Sequence, residues 1–238
     1  EELFILEEEI ASGSYGSVYK ARYMKDNKIY ALKIIQPEED DDVTEFVELA
    51  ILRHCANKNI CKLLGTWKKE DETFIAIEYC GGGAISDFCQ VWDMELTEEQ
   101  IALVMRETLK GLKYLHDNCM VHRDIKGANI LLTHEGDVKL VDFGVSAILA
   151  SSHEMRNTLI GTPYWMAPEI IDNKNGNNPY SYAVDIWSVG ITCVELAEKE
   201  PPLSDIHPMR ALMMIPIKPP PTFKHKEKWS QNFVDFVA

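Results

Sequence analysis

His122-Arg123-Asp124-Ile125-Lys126-Gly127-Ala128-Asn129, followed after a short interval by Asp142-Phe143-Gly144, is the stretch from which the rest of the chain can be read. It holds in fixed order an acid (Asp124), a cation two residues on (Lys126), an amide (Asn129) and a second acid (Asp142). Phosphoryl transfer asks for those parts: a group to orient a hydroxyl, a cation to spread charge, and hard oxygens for magnesium. Residues 130–141 read as two short strands around His134-Glu135-Gly136, which folds Asp142 back beside Asn129.

Upstream, residues 4–12, 17–23, 29–36, 61–68 and 73–79 are short runs rich in Ile, Val, Tyr and Phe, bounded by turn residues or charges, and read as strands. Val43, Phe46, Val47, Ala50 and Ile51 recur at helical spacing, so one amphipathic helix is inserted among them. Past Gly81-Gly82-Gly83 the character changes. Thr97-Glu98-Glu99-Gln100 is a capping box opening a long helix, with Ile101, Val104, Met105, Thr108, Leu109 and Leu112 along one face. Residues 183–198 form a second long helix, apolar nearly all round and therefore buried. The expected architecture is α+β with two lobes: an antiparallel sheet with one helix over 1–80, a mostly helical lobe over 81–238, and the glycine triplet as the hinge.

A formal charge of −14 argues against a general binder of nucleic acid or anionic membrane. The run Glu38-Glu39-Asp40-Asp41-Asp42 reads as a solvated loop. Six cysteines, at 55, 61, 80, 89, 119 and 193, lack paired metal-site spacing; several sit in apolar runs and read as small core residues, and a reduced compartment fits, so a cytoplasmic location is expected. No apolar run reaches about 18 residues, and membrane insertion is not expected.

With both motifs in order, the chain resembles the protein kinases, and the resemblance covers essentially its whole length. Ile10-Ala11-Ser12-Gly13-Ser14-Tyr15-Gly16-Ser17-Val18 is similar to the family's phosphate loop, with Ala11 where the family has its first glycine. Glycine backbone at Gly13 and Gly16 lets N–H groups approach phosphates. The resemblance implies ATP and Mg²⁺ as cofactors. Lys33, on the next strand, would contact the nucleotide phosphates and pair with Glu48 on the inserted helix, Glu45 being the runner-up. Ile77 falls at the gatekeeper position, with backbone groups of Glu78 and Cys80 on the adenine edge. Ile10, Val18, Ala31 and Leu131 line the nucleotide slot, and Asp87 is either a ribose contact or a helix N-terminal acid. Asp124 would accept or orient the substrate proton, Lys126 would neutralise phosphoryl charge, and Asn129 and Asp142 would hold the metal.

The same resemblance makes Thr158 an activating phosphosite and Arg123 the cation that receives its phosphate. Thr162 would brace Asp124 and Lys126, and Asp185 would accept backbone N–H groups of the catalytic loop. Lys126 matches the serine/threonine-specific loop, and Val145 suggests a threonine preference. Gly161-Thr162-Pro163-Tyr164-Trp165-Met166-Ala167-Pro168-Glu169 and Pro201-Pro202-Leu203 are similar to the sterile-twenty-like kinases, in the germinal-centre branch near the Nck-interacting group. Such relatives act in stress and cytoskeletal signalling. They continue beyond Ala238 and supply an arginine for Glu169, so a truncated C-terminus is expected. Protein substrates with Ser/Thr acceptors are implied, as is activation by an upstream kinase or by trans-autophosphorylation. The alternatives are a pseudokinase scaffold, favoured by Ala11 and the short C-terminus, and a small-molecule kinase, which leaves 161–169 unexplained.

Overall fold

The structure is a computed structural model that describes residues 3–13, 16–35, 52–53, 55–70, 72–143, 147–148, 162–172 and 181–238. Five strands form one antiparallel sheet in the order β1 (Phe4–Gly13), β2 (Gly16–Tyr23), β3 (Ile29–Ile35), β5 (Glu72–Glu78) and β4 (Leu63–Lys69). Each boundary falls within two residues of the one read from the apolar runs. The positions at which the inserted helix was expected lie outside the described residues, as do Glu45, Glu48 and the acidic run.

The register divides the sheet into two faces. Lys33 stands opposite Val18 and Ile75, and Ala31 opposite Ile77, so these residues share one side. The other side carries Ala21, Leu32 and Ala76, each at most 2% exposed, with Phe4, Ile34, Trp67 and Phe74 packed around them.

Gly82 and Gly83 differ from the expected hinge. Gly82 donates to the Leu132 carbonyl at 2.9 Å, and β6 (Gly83–Ala84) pairs with β8 (Ile130–Leu132) and through it with β9 (Val138–Leu140). These glycines are docked on the helical lobe, so the strand-to-lobe connection precedes them, at 79–81.

The helical lobe follows as α1 (Ile85–Gln90), α2 (Glu98–Asp117), α3 (Pro168–Asp172), α4 (Ala183–Glu198), α5 (Pro208–Met214) and α6 (Gln231–Val237). The start of α2 is a complete capping box: Gln100 N donates to Thr97 Oγ1, and Thr97 N donates to Gln100 Oε1. Such a cap stabilises a helix by about 1 kcal/mol. Ile101, Val104, Met105, Leu112 and Leu115 point from α2 into one core with Val189, Cys193, Val194 and Leu196 of α4. Phe233 of α6 closes the far side against Phe223 and Trp229.

The two lobes are stitched at 59–61. Leu140 N donates to the Asn59 carbonyl and Cys61 N to the Leu140 carbonyl, while the Asn59 amide reaches Val138 O and Glu107. No helix among the described residues is long and apolar enough to cross a membrane.

Candidate active site

Asp124 lies between β7 (Met120–Val121) and β8, 6% exposed, with both carboxylate oxygens engaged. Oδ1 accepts from Thr162 Oγ1 at 2.8 Å and Thr162 N at 3.2 Å. Oδ2 accepts from Lys126 Nζ and from Asn129 Nδ2, each at 2.8 Å. Lys126 Nζ also reaches Thr162 Oγ1 at 2.5 Å, so acid, cation and hydroxyl form one closed cycle. Burial pushes the Asp124 carboxyl up, but the Lys126 charge and the hydrogen bonds from Lys126 and Thr162 outweigh it and hold the group below the ordinary carboxylate range.

Asn129 ends a short 3₁₀ turn, Gly127–Asn129, and its Nδ2 donates to the Asp124 carbonyl as well as to its carboxylate. With the amide nitrogen so occupied, the Oδ1 of Asn129 is the atom left to act as a ligand. The Val141 N–H donates to the Asn129 carbonyl at 3.2 Å, which brings the exposed Asp142 alongside. Asp142 has φ +63°, a conformation uncommon for a non-glycine residue. An amide oxygen and a carboxylate make a hard, mixed donor set of the kind magnesium takes up with waters and phosphate. Among the described residues, no group of three or more His, Cys, Asp and Glu side chains is gathered for a metal.

Beneath the loop runs α4. The sequence reads this helix as apolar nearly all round; it is buried, yet one face carries a polar stripe at positions 185, 188, 192 and 195. Asp185, fully buried, accepts from His122 N at 3.0 Å and Arg123 N at 2.8 Å, and its Oδ2 lies 2.7 Å from His116 Nε2. Arg123 has φ +68°, so two N–H bonds to one carboxylate hold a strained turn. Ser188 Oγ donates to the Trp165 carbonyl at 2.9 Å, while Thr192 Oγ1 donates to the Ser188 carbonyl of its own helix at 2.7 Å and lies 3.4 Å from that of Ile125. Glu195, 2% exposed, accepts through Oε2 from Gly127 N at 2.9 Å and Trp165 Nε1 at 3.0 Å.

Burial pushes the Glu195 carboxyl up against the pull of those donors and of Lys126. A Cβ on Gly127 would stand 2.8 Å from Glu195 Oε1, so only glycine lets the loop lie this close. His122 completes the fastening: Asp124 N donates to its Nδ1, so its Nε2–H donates to the Val141 carbonyl, and the ring lies 5.1 Å from that of Phe143.

Ser188, Thr192, Glu195, His116 and Trp165 were not foreseen. The signal available for the helix residues was the 3-4-3 spacing of Asp185, Ser188, Thr192 and Glu195 in an otherwise apolar helix, which places these four on one side.

The remaining expected residues are placed as follows. Val18, Ala31 and half-buried Lys33 share the sheet face described above, with Ile10 exposed on β1 and Ala11 opposite Val18. Gly13 and Gly16 face each other at the ends of β1 and β2. Gly16 has φ +112°, and a Cβ there would meet the Ile34 carbonyl oxygen at 2.0 Å. Ile77 and Leu131 pack against one cluster with Cys80, Cys61 and Val141, which brings the residue expected as gatekeeper, the linker and β8 together. Glu78 spends its carboxylate on Lys139, at 3.0 Å, and on the Lys62 N–H. Asp87 stands in the first turn of α1. Thr158, Glu48 and Val145 lie outside the described residues.

The protein kinase domain family matches residues 4–238. Serine/threonine-protein kinase dst2 of Dictyostelium discoideum is 55% identical over 99% of this chain and 21% of its own length. Serine/threonine-protein kinase 1 of Arabidopsis thaliana is 50% identical over 97% of this chain and 27% of its own length. The chain thus spans about a fifth to a quarter of these relatives. With the two-lobed fold and a family match over nearly its whole length, the chain belongs to the protein kinase domain family.

Proposed function

We propose that the chain transfers the γ-phosphate of ATP to serine or threonine hydroxyls of protein substrates. The observation that carries this reading is the closed cycle Asp124–Lys126–Thr162, which ties an ionised acid and a cation to the segment that leads into α3. Asp124, kept ionised, accepts the substrate hydroxyl's hydrogen bond and orients it; its lowered pKa suits taking that proton late, after a loose transition state in which the hydroxyl oxygen has begun to bond to phosphorus. Lys126 faces the transferring oxygens, and Lys33 the non-transferring phosphates. Asn129 and Asp142 would hold Mg²⁺, which when bound neutralises charge on the phosphates. Ile77, Val18, Ala31 and Leu131 supply a flat apolar slot for adenine, with Glu78 and Cys80 backbone on its edge.

The serine/threonine class is supported by the names of both relatives and by Lys126 in the loop. The motif over 161–169 supports the finer placement among sterile-twenty-like, germinal-centre kinases, with activation through Thr158 by an upstream kinase or in trans, in the cytoplasm. Thr158→Ala then lowers turnover strongly, and wild-type rates from that variant refute the assignment.

The primary test is Mg²⁺-dependent phosphate transfer to myelin basic protein, with Asp142→Asn as control. Phosphoserine or phosphothreonine is expected from wild type and none from the variant. Phosphotyrosine as the product overturns the specificity. Absence of transfer from folded, nucleotide-bound protein replaces the reading with a scaffold.

A further inference from the structure

Two thiols meet at the back of the cleft, on segments far apart in sequence. Cys61 precedes β4 and Cys80 follows β5; the backbones run side by side there, with Glu78 N donating to the Lys62 carbonyl at 2.8 Å. Cys61 is 2% and Cys80 7% exposed, and both pack with Val141 against Ile77 and Leu131. The two side chains belong to one buried cluster, and the Cys61 S–H donates to the Glu78 carbonyl at 3.2 Å. The site described above uses only the backbone of Cys80 and does not use Cys61.

We propose that Cys61 and Cys80 form a dithiol modification site that peroxide oxidises reversibly to a disulfide, and that this bond weakens nucleotide binding. The consequence for nucleotide rests on the kinase reading; the disulfide itself does not.

Each thiol's influence on the other pushes Cys61 up and holds Cys80 below a free thiol's value, so Cys80 ionises first. Lys139, bonded to Glu78 at 3.0 Å, adds positive charge nearby and offsets that of Glu78. The Cys80 thiolate attacks one oxygen of hydrogen peroxide, breaking the O–O bond and leaving a sulfenic acid and hydroxide. The Cys61 sulfur then displaces the sulfenic hydroxyl, and its proton leaves in water. Two thiols lose two electrons, and one peroxide becomes two waters.

Closing the bond draws the packed sulfurs to about 2 Å of each other. Cys80 belongs to the linker, where its carbonyl accepts from Gly83 N at 3.2 Å, so the linker backbone moves with it. Losing one backbone contact to adenine weakens affinity by about tenfold.

The test treats the whole chain with peroxide, blocks remaining thiols, digests without reduction and maps linked peptides. A Cys61–Cys80 peptide is expected, removable by dithiothreitol and absent from Cys61→Val. Affinity for an ATP analogue should fall about tenfold on oxidation, return on reduction, and be indifferent to peroxide in Cys61→Val. Phenylarsine oxide, which condenses with two neighbouring thiols and releases water, should protect both cysteines of unmutated protein from alkylation, so the pair is tested even if the variant does not fold. Peroxide that leaves both as thiols, or that links either to exposed Cys119, overturns the site. A linked peptide with unchanged affinity overturns the coupling to nucleotide. Reduced protein that never binds the analogue overturns the kinase reading and leaves the peptide map to judge the pair.

Discussion

The face of α4 beneath the catalytic loop and the face of the sheet that carries Ala21, Leu32 and Ala76 are both closed to water, by opposite means. Under the loop, Asp185, Ser188, Thr192 and Glu195 hold backbone groups of 122–127 and 165, so what is buried is polar and every partner is specified. On the sheet, two alanines and a leucine are packed by Phe4, Trp67 and Phe74, with Phe4 and Trp67 rings 5.2 Å apart. Apolar burial is non-directional and tolerates any filling of the right volume. Hydrogen-bonded burial is directional, and an unpaired partner costs its full desolvation. The first region fixes a geometry through partners that cannot be lost cheaply, whereas the second is held by volume alone.

Substitutions should separate the two. The largest effect is expected at Asp124→Asn, which lowers kcat by about 10²- to 10⁴-fold with little change in melting temperature. Steady-state rates and thermal unfolding of one sample check it, and a comparable loss of stability would blur the distinction. Asp185→Ala leaves two backbone N–H groups and His116 without their acceptor, and should cost about 3–5 kcal/mol in chemical denaturation as well as activity. Ala21→Leu tests the other side: overpacking costs about 1–3 kcal/mol while kcat of the folded protein stays at the wild-type value.

Glu195→Gln is the subtlest. The amide oxygen still accepts from Gly127 and Trp165, so stability should change by no more than about 1 kcal/mol at neutral pH. Its pH dependence is the sharper readout. Burial raises the folded Glu195 above its unfolded value of 4.5. Its contribution is therefore fully present below that value and is lost as pH rises through the folded one. Unfolding free energy measured across that window should slope downward with pH in wild type and less so in the glutamine variant.

Much of the fold was open to reading in one dimension. Alternating apolar residues placed five strands within two residues of their observed ends, and Thr97 with Gln100 announced the start of α2, since both signals act between near neighbours. Asp124, Lys126 and Asn129 were legible as a group because one short loop carries them. The stripe on α4 was harder. Its spacing is local, but its partners on other elements lie between 23 and 69 residues away, and nothing in a run of apolar residues says that a polar face looks onto a loop. The docking of Gly82 on Leu132 was hidden for the same reason, and it moved the connection between lobes ahead of the glycines.

By itself the sequence determined the chemistry of the parts: which side chains carry charge, where backbone needs glycine, and which segments repeat at the period of strand or helix. Those properties reside in single residues and their near neighbours. Tertiary structure alone decided that Asp124, Lys126 and Thr162 close a cycle, that Glu195 reaches Gly127 and Trp165, and that Cys61 meets Cys80. Hydrogen bonds act over about 3 Å, and only the folded chain brings residues so far apart in sequence to that distance.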